Sequence, residues 1–352
     1  MDQNRVYANE EIDPRFKTAV EELRTFLESY RKQCNAKSRY SDDDENKELL
    51  SNLCHGFADT MDRKVVRIEN IANSLKLAHG NGQKYKQYYQ TKLLPLILKS
   101  PINERAYTKP LGYAGDYEMI YMVHRDSFEG QSLFGKLLHK YSTSLPISRA
   151  VRKRTEYLTE KINSIVSQAK QHSVDILSIG SGPALEYKQL FEKYPLATNR
   201  ISLTLLDQES LALRFSQDHM CENRIKYNSK IKIKHIHQKL EKYLFDYVAR
   251  SYKKKYDLIY STGLFDYLDY KVSRLMIKCL LQLLNTGGRL IIANCSLDSH
   301  NHRFFMEFGV DWYLIYRNFN DMLHLTEGIP KVEHYTIEEI EQGIIKFLEI
   351  KC

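Results

Sequence analysis

In the second half of the chain, short aliphatic runs recur at intervals of about 25 to 35 residues, at 174–179, 201–206, 231–237, 256–260 and 289–294. Each run is strand-length, and enough sequence for a helix lies between one and the next. Parallel strands require this spacing, because two of them can be joined only by a crossover long enough to hold a helix. The pattern predicts a mostly parallel α/β sheet. A ligand crevice is expected outside the carboxyl ends of the strands, where their order reverses. Two later strands are expected at 331–335 and 344–350, flanking a short helix at 336–342.

The first hundred residues carry the other period. Phe16, Val20, Leu23 and Leu27 stand three or four apart, as on one face of a helix. The acidic run Ser41, Asp42, Asp43, Asp44, Glu45 marks a helix start, where the dipole favours negative charge. A third helix is expected over 61–78, ended by Gly80, Asn81 and Gly82, and a fourth toward Leu98, broken or kinked at Pro95. Residues 149–167 read as a linker helix. The organisation expected is a helical region over 1–105, a substrate-covering segment with the linker helix over 106–170, and the sheet domain over 171–352.

Composition narrows the function. With 43% hydrophobic and 27% charged residues the chain is globular, not disordered. No apolar run approaches the roughly 18 residues of a membrane span, and the polar, acidic start has no secretory character, so a cytoplasmic protein is expected. The cysteines (Cys34, Cys54, Cys221, Cys279, Cys295, Cys352) lack CxxC spacing, which excludes a thiolate zinc cage and argues against a disulfide framework. The histidine pairs His235/His237 and His300/His302 have no third ligand nearby, and no metal is expected. The net charge of +8 is local: 223–255 holds eleven Lys and Arg against two Asp and Glu. Within it Lys230, Lys232 and Lys234 alternate with Ile231 and Ile233, as on an exposed edge strand kept from pairing by its lysines. An anionic partner is the other reading. With no zinc-finger, RNP-like or helix-turn-helix signature, the charge argues only weakly for nucleic acid.

The chemistry concentrates after the strands. The first is followed by Gly180, Ser181, Gly182, Pro183, Ala184, Leu185 and Glu186. Two glycines permit a tight turn and close approach of a ligand to the backbone, Pro183 suits a first helical position, and Glu186 complements the helix N-terminus. Leucine at 185 replaces the third glycine of a dinucleotide fold and counts against a pyrophosphate. The second strand ends in Asp207 and Gln208, where a carboxylate can accept from both hydroxyls of a ribose. Gln238 and Lys239 follow the third strand. Ser261, Thr262, Gly263, Phe265, Asp266 and Tyr267 follow the fourth. Their order along one βαβ array points to an S-adenosylmethionine pocket.

At this point the sequence resembles the class I S-adenosylmethionine-dependent methyltransferases over about residues 170–352. More narrowly it is similar to the bacterial extracellular-factor (3-hydroxypalmitic acid methyl ester) biosynthesis family. The segments KPLGYAGDYEMI at 109–120, LSIGSGPALE at 177–186 and DWYLIYR at 311–317 carry the likeness. The common acidic residue of the glycine motif is Ser178 here, its last small position is Ala184, and Ser181 stands where the family often has Cys. The resemblance implies a Rossmann-like, mostly parallel seven-stranded sheet with an N-terminal all-helical extension. It also implies O-methylation of a small or lipid-like carboxylic acid to its methyl ester.

An ionised carboxylate acceptor needs no base, whereas an alcohol or amine does. Asp116, Glu118, Asp311, His300 and His302 are the candidate bases. Asp116, Tyr117 and Tyr316 are the catalytic candidates. Tyr113, Tyr117, Trp312 and Tyr316 are expected to wall an apolar substrate, with Asn294 nearby and Arg149 or Arg317 taking a carboxylate. The front helices are a candidate homodimer surface. Two rival classes are a cofactor-binding regulatory protein and a methyltransferase acting on another small molecule or on RNA.

Overall fold

A computed structural model describes residues 11–37, 43–77, 82–169, 172–249, 254–296, 303–329 and 334–352. Its helices are α1 (Pro14–Lys37), α2 (Asp43–Ser74), α3 (Gly82–Ile97), α4 (Pro101–Thr108), α5 (Tyr117–Arg125), α6 (Leu133–Ser144) and α7 (Pro146–Gln168). Then come β1 (Val174–Ile179), α8 (Leu185–Lys193), α9 (Pro195–Thr198), β2 (Ile201–Asp207), α10 (Ser210–Lys226), β3 (Lys232–His237), α11 (Leu240–Ala249) and β4 (Tyr256–Ser261). The last are α12 (Tyr270–Leu281), β5 (Leu284–Cys295), α13 (Phe319–His324), β6 (His334–Ile340) and β7 (Ile345–Lys351).

Two compact units divide the chain. One comprises 1–114, 125–145 and 302–313; the other comprises 115–124, 146–301 and 314–352. In the first, the apolar stripes of α1, α2 and α3 bury Phe16, Leu23, Leu27, Phe57, Met61, Tyr89 and Leu93. Phe57 meets Tyr141 of α6 edge-on at 5.7 Å, and Tyr89 meets Phe304 at the same distance. The expected third helix is not separate: α2 runs unbroken from Asp43 to Ser74. A helix-interior glycine costs about 1 kcal/mol, and Gly56 is carried by the burial of Phe57, Met61, Val65 and Ile68 around it. Pro95 likewise fails to end α3, which continues to Ile97. Ser41, Asp42, Gly80 and Asn81, with 331–333, lie outside the described residues.

The second unit is built on a seven-stranded sheet of order β3-β2-β1-β4-β5-β7-β6, the Rossmann-like sheet expected. Strands β1 to β5 are parallel, while β7 runs antiparallel to both β5 and β6. The order reverses between β1 and β4, so a crevice opens beyond Ile179 and Ser261. Helices cover both faces, which is why β1 and β2 read as continuous apolar runs. On one face Ile176, Leu203 and Leu205 pack with Leu158 and Ile162 of α7, Tyr187 and Leu190 of α8 and Met220 of α10. On the other, Leu177, Ile179, Leu206 and Ile259 pack with Leu244 of α11 and Ile277 and Leu280 of α12. β3 is an edge strand with Lys232 and Lys234 exposed.

The helix expected at 336–342 is instead strand β6 followed by a turn. Ile337 and Ile340 give a helical spacing, but β7 is almost wholly buried and needs a ladder partner on its outer side, so Thr336 pairs with Glu349 and Glu338 with Phe347. Sheet context overrides the local preference.

Candidate functional site

Beyond β1 the backbone turns back over β2. The amides of Gly180 and Ser181 both donate to the carbonyl of Leu206, at 2.9 and 3.2 Å. Gly180 and Gly182 have φ of +59° and +53°, a region that only glycine enters freely. Ala184, at φ +50°, follows in the same region as the N-cap of α8. A β-carbon on Gly182 would meet nothing within 4 Å among the described residues, which leave room for a ligand in front of it. The Ser181 hydroxyl beside it is buried and has no partner among the described residues.

Asp207 closes β2 opposite this turn. Its Oδ2 accepts from the Gly182 amide at 2.8 Å and its Oδ1 from the Glu209 amide at 2.9 Å. The Gln208 amide also acts on this carboxylate, which, with about four acceptor sites, keeps capacity for a further donor. Burial pushes the Asp207 pKa up, against the pull of those amides. The Gln238 amide donates to the Asp207 carbonyl at 2.9 Å, and His237 Nε2 bonds the Gln208 carbonyl at 2.9 Å. The Gln238 side chain is taken by Asp246 at 2.8 Å, while Lys239 is exposed. Across the strand-order reversal, the buried Ser261 hydroxyl donates to the Ile179 carbonyl at 2.9 Å.

The other expected polar groups are held by the protein itself. Glu186 is buried with the Tyr260 hydroxyl on its Oε1 at 2.6 Å, and burial raises its pKa. Asp266 Oδ1 accepts from the Cys295 amide at 2.7 Å, and burial raises that carboxyl to about 6. Phe265 beside it is buried and Tyr267 is exposed. Arg317, expected to hold a substrate carboxylate, is buried instead. Its four terminal N–H donors go to the carbonyls of Phe265 and Leu268, the Asn294 side chain and Ser273 Oγ. Asn294 is fully engaged too, donating to the carbonyls of Cys295 and Ile315. Arg149 pairs with Glu341 at 2.8 Å.

A different arginine stands at the crevice. Arg154 of α7 donates to the Thr262 carbonyl, lies 3.9 Å from where a β-carbon on Gly263 would be, and its charge opposes the burial-driven rise of the Glu186 and Asp266 pKa values. It was not singled out from the sequence, because the first turns of α7 carry four basic residues, at 149, 152, 153 and 154, and nothing local says which one faces β4.

The 115–124 segment belongs to the same unit. Asp116 is buried and caps α5, its Oδ1 accepting the Met119 amide at 2.9 Å, and its charge helps raise the Glu209 pKa. Tyr117 and Tyr121 lie 6.0 and 4.6 Å from the Phe215 ring of α10. One turn on, His219 Nε2 bonds the Pro183 carbonyl at 2.7 Å; a carbonyl only accepts, so this nitrogen carries the proton. Glu118 is half-buried on α5. Tyr316 packs in the core among residues such as Ile345 and Phe347. Tyr113, Asp311 and Trp312 belong to the other unit, where Asp311 is ion-paired with Lys86 and its carbonyl accepts from Lys109 at 2.7 Å. His300 and His302 lie outside the described residues. Gly180, Ser181, Gly182, Asp207 and Ser261 thus converge at the carboxyl edge of the sheet. Glu209, His219 and Phe215 join them without having been expected; the spacing of Phe215 and His219 on one face of α10 is the signal that held them.

No protein-family model and no curated protein matches the sequence. Among solved structures, the chain is similar to a protein from Bordetella parapertussis described as a possible exported protein, with 15% identity over 67% of this chain and 79% of that one and a TM-score of 0.51. At that identity the likeness shows the fold alone. Looser likenesses are to the magnesium protoporphyrin IX methyltransferase from Synechocystis PCC 6803 with bound SAH (12% identity, 67% and 95% covered, TM-score 0.44) and to the plantazolicin methyltransferase in complex with SAH (14%, 74% and 98%, TM-score 0.42). No helix among the described residues is long and apolar enough to cross a membrane.

Proposed function

We propose that the protein is an S-adenosylmethionine-dependent methyltransferase whose acceptor is a small or lipid-like carboxylic acid. One observation carries the reading: the buried Asp207 carboxylate at the tip of β2 is fixed by the Gly182 amide at 2.8 Å, against a turn with two left-handed glycines. The residues fit the cofactor. Asp207 retains acceptor capacity toward ribose hydroxyls, the space before Gly182 admits a ligand against the backbone, and the buried Ser181 hydroxyl lacks a protein partner among the described residues. Arg154 supplies the cation for the carboxylate of the methionine part, having donors beyond the one given to Thr262.

When bound, the sulfonium supplies an electrophilic methyl group and leaves as a neutral thioether. The chain's task is alignment and exclusion of water. His219 fixes the Pro183 carbonyl and with it the glycine turn, and Asp116 fixes the start of α5, which places Tyr117 against Phe215. Of the expected bases, Asp116 caps a helix and Asp311 is bound to Lys86, which suits an acceptor that arrives already ionised.

Calorimetry of the full chain with S-adenosylmethionine and its demethylated product tests the cofactor half. Asp207→Ala is expected to weaken binding by roughly 10- to 100-fold, as loss of hydrogen bonds to a charged acceptor does. Absence of binding to the folded wild type would defeat the reading. Incubation with methyl-labelled cofactor and a panel of lipid acids, read by mass spectrometry, tests the acceptor half; label passing only to alcohols or amines would refute it.

A further inference from the structure

The stretch 223–240 holds six basic residues, Arg224, Lys226, Lys230, Lys232, Lys234 and Lys239, and no acidic one. All six are exposed, and none forms an ion pair among the described residues. They follow one border of the sheet unit, from the end of α10 along the edge strand β3 to the start of α11. The loops at the amino ends of β2 and β3 are stitched together. Thr198 Oγ1 and Ser229 Oγ share a 2.6 Å hydrogen bond, and the Lys230 amide donates to Asn199 Oδ1 at 2.6 Å. Beside these loops stand two of the most exposed aliphatic side chains described, Leu196 at 80% and Ile225 at 79%.

Protection of a sheet edge accounts for Lys232 and Lys234. It does not account for Arg224 and Lys226, which lie on a helix, or for Ile225 between them, which protection against association would make polar. Basic side chains around protruding aliphatic ones are the surface of a protein that lies on anionic lipid. Single-stranded nucleic acid would want free exposed rings for stacking, but in this stretch Tyr227 is half-buried and stacked on Phe191 at 6.2 Å, His235 is half-buried, and the exposed His237 is bonded to the Gln208 carbonyl at 2.9 Å.

We propose that this border docks the protein on an anionic bilayer, with the six cations at the headgroups and Ile225 and Leu196 entering among them. The two aliphatic residues lie at the amino ends of the strands, opposite the carboxyl edge that carries Asp207 and the glycine turn. Of the six cations only Lys239, past the carboxyl end of β3, lies toward that edge; the other five and the aliphatic pair stand apart from the reading of that site.

Cosedimentation of the full chain with vesicles of one part phosphatidylglycerol to two parts phosphatidylcholine, against pure phosphatidylcholine, tests it. Binding to the first alone is expected, weakening with added salt. The combined variant Lys230→Gln, Lys232→Gln, Lys234→Gln should bind about a hundredfold less, at about fivefold per charge. Ile225→Ser, with every charge intact, should bind about tenfold less. All four positions are exposed, so unchanged thermal midpoints will show that the variants fold. The proposal fails if neither vesicle is bound, if both are bound equally, or if Ile225→Ser binds like the wild type. Displacement from vesicles by a single-stranded RNA oligonucleotide, with binding to that RNA indifferent to Ile225→Ser, would assign the surface to nucleic acid instead.

Discussion

Asp266 shows how burial turns one carboxyl into a stability term with a definite pH sign. Its pKa rises from 3.8 to about 6, chiefly because the charged form is desolvated, with the Cys295 amide and the charges of Arg154 and Arg317 pulling the other way. The folded state holds the proton more tightly than the unfolded one. Stability from this group is therefore greatest at low pH and is lost as pH rises from about 4 to about 6. Ionising it inside the fold costs up to about 3 kcal/mol. Asp266→Asn keeps the acceptor for the Cys295 amide and removes the charge. The variant is expected to be more stable than wild type at pH 8 by up to that amount, and no more stable at pH 4. The measurement is the difference between the two denaturant curves across this range; an equal gain at both ends would refute the charge origin. The difference matters because buried histidines act oppositely: His124 is held down at about 3 and His139 at about 4, from 6.5, so their contribution is lost on acidification.

Among the elements, α6 shows backbone crowding deciding against helix propensity. The Ser132 hydroxyl caps α6 by accepting the Gly135 amide at 3.1 Å. A β-carbon on Gly135 would stand 2.5 Å from the Lys99 carbonyl oxygen, just before α4, and 3.3 Å from Ser132 Oγ. Alanine is the better helix former by about 1 kcal/mol, but overpacking against backbone costs typically 1–3 kcal/mol, and 2.5 Å is at the severe end. Gly135→Ala is expected to destabilise the protein by roughly 1–2 kcal/mol in urea unfolding. A stabilised variant would mean that α6 and the turn before α4 have slack. The same contest explains what was legible in the elements. The five parallel strands were readable because each is a local run with its own turn signals. β6 was not, because Ile337 and Ile340 suit a helix and only the pairing of Thr336 with Glu349 across to β7 makes them strand.

For the whole molecule, the chain does not run through its units in order. The first unit draws 125–145 and 302–313 to the helices of 1–114. A cut at residue 105, where the helical composition ends, would therefore strip partners from later segments. Tyr141 would lose the Phe57 ring and the Asp62 carboxylate that its hydroxyl bonds at 2.6 Å, Phe304 would lose Tyr89, and Asp311 would lose Lys86. Trp312, the single tryptophan, belongs to this unit and reports on it. A chain beginning at residue 106 is expected to show no cooperative tryptophan fluorescence transition on heating, while the sheet still melts by circular dichroism. A retained transition would show that 302–313 is held without the front helices.

What the sequence by itself determined is local. The strand period, the crossover lengths, the Gly180–Gly182 turn and the carboxylate at the tip of β2 are all written in neighbouring residues, since φ freedom, helix caps and strand ends act over a few positions. Tertiary structure decided which charged side chains face the crevice. Arg149, Arg154 and Arg317 are alike as residues, yet Glu341 takes the first and four protein acceptors take the last, while Arg154 reaches the Thr262 carbonyl, 108 positions along the chain. A guanidinium binds whichever acceptors the packed helices and strands bring within about 3 Å, and that depends on distant parts of the chain meeting.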